Sequence, residues 1–249
     1  DGFYQLDVLP FPEYTTAEST ADRSHLPEVG TMPDLSFPEI QRAELKNGIK
    51  VVLAERHTIP VVNLAMQFDA GYAADSSNGK LGNASFSMAM LDEGTASRSA
   101  LDISAEAESL GANLSSSSNL DTSTVHVSAL KSNLQPSISL FADVIRNPAF
   151  SQDEIDRLRG RWLAQIQQEK IDPVSIALRT LPPLIYGPGH AYGIPMTGSG
   201  TEPAITALTR DDMVEFHRDW IRPDNATLFV AGDATLAEIV PLLNNAFGN

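Results

Sequence analysis

Hydrophobic and polar residues alternate along several short stretches of the chain, a period typical of β-strands. Asn47-Gly48 is a two-residue turn signal between the first two of these stretches, which predicts a β-hairpin. The strands predicted from the alternation cover 41–45, 49–56, 61–70, 112–119, 122–130 and 226–231. The fourth and fifth are rich in serine and threonine and are separated by a short turn, so they form a second predicted hairpin.

Apolar residues recur every three or four positions in the other regular stretches, which is typical of amphipathic helices. The predicted helices lie within 82–95, at 101–110, 134–146, from 151 onward, at 174–185, 209–220 and 236–246. Ser151 and Glu154 have the spacing of a capping box. The pair Pro182-Pro183 predicts a kink or break, because proline lacks the amide hydrogen that a helix interior needs.

This order of elements predicts an α+β fold, in which an antiparallel-rich mixed sheet carries helices on one face. We expect a single domain over residues 39–249. Residues 1–38 differ from it because they hold five prolines and a polar stretch at 15–20. They are predicted to form an extended linker or docking segment lying on a surface, and a free tail is the alternative.

Composition narrows the range of functions. Acidic residues outnumber basic ones 32 to 17, whereas a nucleic-acid partner needs a basic surface. The absence of cysteine excludes disulfides, thiolate zinc sites and a cysteine nucleophile. No apolar stretch approaches the length of a transmembrane helix. We therefore expect neither nucleic acid nor a membrane as a partner.

Candidate catalytic groups are sparse. The five histidines are His25, His57, His126, His190 and His217. No two of them have the spacing of metal ligands on one helix, so we expect no separate zinc centre. The adjacent carboxylates Asp92 and Glu93 are interpreted as a solvated helix end rather than as a general acid and base.

The most informative stretch is the predicted helix within 82–95, which contains Gly-Asn-Ala-Ser-Phe-Ser-Met-Ala-Met-Leu-Asp-Glu-Gly-Thr. Asn83 or Ser85 is its expected N-cap, and Gly94 its expected end. Ser85, Met88 and Ala89 share one helix face, at spacings of three and four. A hydroxyl, a thioether and a methyl group provide no metal ligand and no general base at neutral pH.

The apolar, glycine and threonine positions of this stretch resemble the zinc helix of the pitrilysin/insulinase-type metallopeptidases. That family has His, Glu and His at the positions of Ser85, Met88 and Ala89. Three further segments, within 110–113, 190–209 and 220–248, resemble the same family in the same order. The resemblance places the family's distal glutamate ligand at about Gln165, counted back from Asp172-Pro173. It thus implies a degenerate zinc site, with no catalytic residue and no metal in this chain.

By resemblance, the chain is a non-catalytic domain of such a peptidase and forms part of the peptide-binding chamber opposite the zinc-bearing half. The implied partners are that catalytic half, in the same chain or in a partner subunit, and peptide substrates. Zinc is expected in the catalytic half, and the implied location is the bacterial periplasm. Two alternatives stay open: a scaffold or binding protein that has this fold without proteolysis, and an active peptidase with rearranged ligands.

Overall fold

A six-stranded mixed sheet forms the centre of the structure. The structure is a computed structural model, and it describes Asp7, Ser24, Gly30, residues 36–77 and residues 79–248. The strands are β1 (Ile40–Glu44), β2 (Lys50–Glu55), β3 (Val61–Phe68), β4 (Asn113–Ser118), β5 (Ser123–Leu130) and β6 (Ala226–Gly232). Their order across the sheet is β1-β2-β6-β3-β5-β4. Only the pairing of β2 with β6 is parallel. The predicted α+β fold with an antiparallel-rich mixed sheet is confirmed.

Eight α-helices accompany the sheet in the described part of the chain. They are α1 (Asn83–Ala89), α2 (Ala100–Leu110), α3 (Leu134–Arg146), α4 (Gln152–Glu169), α5 (Pro173–Tyr186), α6 (Glu202–Ala207), α7 (Arg210–Trp220) and α8 (Leu236–Phe247). A 3₁₀ helix, Tyr72–Ser77, precedes α1. The short helix α6 was not predicted, because its six residues give too little periodicity. No helix among the described residues is long and apolar enough to cross a membrane.

Alternation along the strands determines which sheet face is covered. In β3, Val62, Leu64 and Met66 are buried, whereas Asn63 between them is exposed. The strands β5 and β6 alternate in the same way. The buried side chains pack beneath the helices into one core within the compact unit Pro38–Asn249. The segment predicted as a linker, 1–38, lies almost entirely outside the described residues, so that prediction stays a prediction.

Of the predicted kink or break in α5, the break is wrong, because the helix continues through Pro182 and Pro183 to Tyr186. A proline at position 182 cannot donate to the carbonyl of Leu178, four residues earlier. The amide of Met196, from the following loop, donates to that carbonyl instead at 2.9 Å. A hydrogen bond from outside the helix therefore replaces the missing one.

The predicted capping box at Ser151 is also wrong, because the Ser151 side chain accepts no hydrogen bond at the start of α4. Glu154 instead pairs with Arg157 at 2.5 Å. The predicted cap of α7 is confirmed, since Thr209 accepts from the amide of Asp212. The spacing of a capping box therefore does not by itself determine whether the cap forms.

Candidate functional site

Helix α1 carries three of the four predicted site positions, and its N-terminus is held by a residue from outside the helix. The predicted caps Asn83 and Ser85 are wrong, since the N-cap is Gly82, with no side-chain hydrogen bond of its own. The carboxylate of Asp75 accepts from the amides of Gly82 at 2.9 Å and Ala84 at 3.2 Å. Asp75 is 3% exposed, and burial raises its pKa to about 7 even though these amides lower it.

Of the three positions on α1, one is fully buried and two are half-buried. Met88 is 0% exposed and belongs to the hydrophobic core, against which the half-buried Ala89 also packs. Ser85 is half-buried, and its buried hydroxyl has no hydrogen-bond partner in the structure. The carbonyl of Met88 accepts from the hydroxyl of Ser116 at 2.7 Å, which ties the end of α1 to β4. The helix ends at Ala89, five residues before the predicted end at Gly94.

The loop after α5 closes over Ser85. A Cβ atom on Gly198 would lie 3.2 Å from the Ser85 hydroxyl oxygen and 2.8 Å from the ring of Tyr72. Gly200, at φ +73°, lies so close to Leu81 that a Cβ would come within 2.0 Å of its carbonyl oxygen. Only glycine permits this backbone conformation together with this approach. The loop therefore occupies the space directly in front of the helix.

Helix α4 contacts α1 through an aromatic pair, not through Gln165. The rings of Phe86 and Trp162 meet edge to face, with centroids 5.3 Å apart. The indole of Trp162 donates to the carbonyl of Ser199 at 3.0 Å, which also fixes the loop. Gln165 is exposed, and its amide donates to Glu169 at 3.1 Å. Its hydrogen bond thus lies within α4 and does not reach α1.

A buried ion pair joins α4, α5 and the loop. Arg179 donates to Glu169 at 2.7 Å, to the hydroxyl of Ser199 at 2.8 Å and to the carbonyl of Gly200 at 2.8 Å. The Ser199 hydroxyl in turn donates to Glu169 at 2.6 Å. The two charged side chains are only 12% and 10% exposed. The ion pair therefore holds α4, α5 and the loop together. We use the name α1 site for the four predicted positions, Ser85, Met88, Ala89 and Gln165.

Comparison with known families agrees with this architecture. The family described as "Insulinase (Peptidase family M16)" matches residues 50–186, more than half of the chain. The chain belongs to the insulinase family of peptidases. A second family, described as "Peptidase M16 inactive domain", matches residues 207–249. The chain is thus a non-catalytic domain of an insulinase-type peptidase, and the suspected resemblance is confirmed.

Individual relatives agree with this assignment. The chain is 26% identical over 230 residues to the mitochondrial-processing peptidase subunit beta of Rattus norvegicus, covering 92% of this chain and 46% of the relative. A solved peptidase M16 inactive domain from Pseudomonas fluorescens superposes with a TM-score of 0.79 at 25% identity, covering 84% of this chain and 50% of that one. The periplasmic protease PqqL of Escherichia coli has the same fold, with a TM-score of 0.76 at 21% identity, covering 86% of this chain and 24% of that one. The chain spans about half the length of the curated relative.

Within this insulinase-family chain, the residues of the α1 site do not fit a zinc ion. Zinc in proteins takes imidazole, thiolate or carboxylate ligands. The site offers a buried hydroxyl, a core thioether, a methyl group and an amide that is bonded elsewhere. Over residues 36–77 and 79–248, no three His, Asp or Glu side chains form a group that could hold a metal ion. We therefore derive no metal-dependent step for this chain.

Sequence reasoning missed the groups that organise the site. Asp75 precedes the helix it caps by several residues, outside the spacing of any capping motif. Glu169 and Arg179 lie on different helices, ten residues apart, so no helical spacing pairs them. Glu93 was interpreted as part of a solvated helix end, and that is wrong. It pairs with Arg157 and, at 3.0 Å, with Arg161 of α4.

Proposed function

We propose that this chain is a wall domain of a peptidase, one that contacts an unfolded peptide while a partner half carries zinc and performs hydrolysis. Support comes from its membership of the insulinase family and from a site whose residues cannot hold zinc. The rat relative is one subunit of a processing peptidase, and the chain spans 46% of it. The zinc-bearing half is therefore proposed to lie either elsewhere in the same polypeptide or in a partner subunit.

The outward face of α5 is the observation that carries this proposal. Most helices of a soluble domain turn apolar residues inward, but α5 buries Arg179 and exposes its leucines. The exposed apolar residues on and just before α5 are Ile171, Val174, Ile176, Leu178, Leu181, Leu184, Ile185 and Tyr186. Leu184 is 80% exposed. Four of them, Val174, Leu178, Leu181 and Ile185, are spaced four, three and four residues apart and so lie on one exposed face of α5. An exposed apolar face of this kind marks an interaction site.

The sheet edge offers a second kind of contact to the same peptide. Strand β4 is the last strand of the sheet, so its outer side pairs with none of the other described strands. An extended peptide adds to such an edge through main-chain hydrogen bonds, which accept many sequences. The apolar face of α5 would supply contacts to side chains, and the edge of β4 would supply contacts to the backbone.

Binding of an unstructured peptide to the isolated chain tests this proposal. The probe is a fluorescein-labelled 20-residue peptide with alternating apolar and basic residues, followed by fluorescence anisotropy. Leu181→Ser/Ile185→Ser is expected to weaken binding by about tenfold or more, since each lost apolar contact is worth about 1 kcal/mol. Leu101→Ser, at an 81% exposed position on α2, is the matched control and should leave the affinity unchanged.

Equal weakening by the control, or no saturable binding to the parent chain, would contradict a wall domain. The scaffold alternative then becomes the better interpretation, although the family assignment does not favour it. For location we propose the bacterial periplasm. Support comes from the E. coli structural neighbour, which is a periplasmic protease, whereas the rat relative is mitochondrial.

A further inference from the structure

Three aromatic rings gather at the C-terminal end of α5. Tyr186 is the last residue of the helix, and the following loop folds back so that His190 and Tyr192 contact its ring. The rings of Tyr186 and His190 are stacked, with centroids 5.0 Å apart, and Tyr192 meets them edge to face at 5.8 Å and 5.6 Å. Tyr186 and His190 are exposed and Tyr192 is half-buried, so the three rings lie at the surface.

The backbone of this loop brings the rings together. A Cβ atom on Gly193 would lie 2.2 Å from the carbonyl oxygen of Gly187, so only glycine permits the two ends of the turn to approach this closely. The amide of Tyr192 donates to Nδ1 of His190 at 3.0 Å, and a ring nitrogen that accepts a hydrogen bond carries no proton. The imidazole in this arrangement is therefore neutral and does not repel a cation.

A carboxylate without a cation lies beside the rings. The hydroxyl of Tyr192 donates to Oδ1 of Asp121, in the β4–β5 turn, at 2.7 Å. The backbone of Asp121 is held on both sides, since its amide donates to the side chain of Asn119 at 3.0 Å and its carbonyl accepts from the amide of Gly71 at 3.0 Å. Among the described residues, Asp121 forms no salt bridge, and Tyr192 is the one donor to its carboxylate.

Other carboxylates that fix loops in this chain have cations of their own. Asp143, Asp212 and Asp233 each pair with an arginine or a lysine, at 2.7, 2.7 and 3.1 Å. Asp121 has aromatic rings beside it instead. The faces of such rings attract a cation within about 6 Å of their centroids, and an adjacent carboxylate attracts the same cation. A positively charged group is therefore the complement that this surface lacks.

The aromatic corner consists of Tyr186, His190, Tyr192 and Asp121. We infer that the aromatic corner binds an arginine side chain of the peptide that lies on α5, an inference that rests on the proposed function. Ile185, on the exposed apolar face of α5, directly precedes Tyr186, so a peptide on that face reaches the corner at the end of the helix. A guanidinium group is planar and stacks on a tyrosine ring, while its N–H groups donate to a carboxylate. The compact ammonium group of lysine does not stack in this way, so the corner selects arginine.

The affinities of two matched peptides test the corner. Both are fluorescein-labelled 20-residue peptides with the same alternation of apolar and neutral polar residues. They differ at one central position, which is arginine in one and its uncharged isostere citrulline in the other. By fluorescence anisotropy at pH 8, the 249-residue chain is expected to bind the arginine peptide about tenfold more tightly. Asp121→Asn and Tyr186→Leu should each lower this ratio by about threefold without changing the affinity for the citrulline peptide.

Glu108→Gln is the matched control, because Glu108 is an exposed carboxylate on α2 and its replacement removes the same single charge. It should leave the ratio of the two affinities unchanged. An equal fall in the ratio for Glu108→Gln would overturn the corner, because the preference for arginine would then follow the net charge of the chain.

Amide ¹⁵N–¹H spectra of the parent chain with each peptide locate the contact. The two complexes are expected to differ at the amides of Asp121 and Tyr192. Differences confined to other residues would overturn the corner.

The same measurements separate the corner from the proposed function. Equal affinity of the parent chain for both peptides, with Leu181→Ser/Ile185→Ser still weakening each of them, overturns the corner and leaves the wall domain in place. Absence of saturable binding for both peptides overturns the corner and the wall domain together.

Discussion

Replacing Met88 by glutamate, the residue that active family members are expected to have there, should destabilise the chain by about 3–5 kcal/mol at pH 8. Met88 is 0% exposed and packs in the core, so a carboxylate at this position would lose its hydration without gaining a cation. Burial also raises the pKa of such a glutamate above its unfolded value near 4.3. Stability should therefore decline as pH rises from about 5 to 8.

Urea denaturation at pH 5 and pH 8 measures this effect. Met88→Leu is the matched control, because it keeps volume and polarity and should cost less than about 1.5 kcal/mol. If Met88→Glu were as stable as the parent chain at pH 8, position 88 would face a solvated cleft. The interpretation of α1 as a core helix in this chain would then be wrong.

Arg179→Met should cost about 3–5 kcal/mol, because it leaves the carboxylate of Glu169 buried without its cation. Both side chains are about nine-tenths buried, and Arg179 also donates to Ser199 and Gly200. The loop in front of α1 loses these bonds in the same step. Thermal or urea unfolding gives the size of the loss.

A double-mutant cycle measures the interaction free energy between Glu169 and Arg179 separately from the contacts that each makes with other groups. Glu169→Gln/Arg179→Met should be more stable than the sum of the two single variants predicts, since the uncompensated charge is gone. Arg218→Met is the control, because Arg218 is 66% exposed and its ion pair with Asp219 lies on the surface. It should cost no more than about 1 kcal/mol. An equal loss of unfolding free energy in Arg179→Met and Arg218→Met would show that the buried network contributes no more to stability than a surface ion pair.

Local sequence patterns were sufficient to predict most of the strands and helices. The Asn47-Gly48 turn joins β1 to β2 as predicted, with Gly48 at φ +92°, and the serine-rich strands pair in register. Such elements are determined by neighbouring residues in the sequence. The insertion of β6 between β2 and β3 is different, because that pairing joins residues more than 150 positions apart. Periodicity contains no information about it.

Two of the errors arise from hydrogen-bonding partners that lie outside the local sequence pattern. Continuation of α5 depends on the amide of Met196, and the cap of α1 depends on Asp75. At Ser151 the expected cap is absent, and Glu154 pairs with Arg157 of the same helix. For α5 and α1, a partner that the sequence pattern does not specify contributes to the local structure.

The candidate site was only partly predictable. The sequence shows which side chains stand at the four positions, and their chemistry follows from residue type alone. It does not show that Met88 is in the core, that Gln165 turns to Glu169, or that the loop at Gly198 covers Ser85. The correspondence of these four positions to the family's zinc ligands itself stays a prediction.

Zinc content of the purified chain tests the central claim most directly. The chain is equilibrated with excess Zn²⁺, passed through a desalting column and analysed for metal per polypeptide by mass spectrometry. A domain with a hydroxyl, a thioether, a methyl group and an amide at the four positions should retain far less than one zinc ion per chain. Retention of one zinc ion per chain, lost when Ser85 and Gln165 are both replaced by alanine, would contradict it.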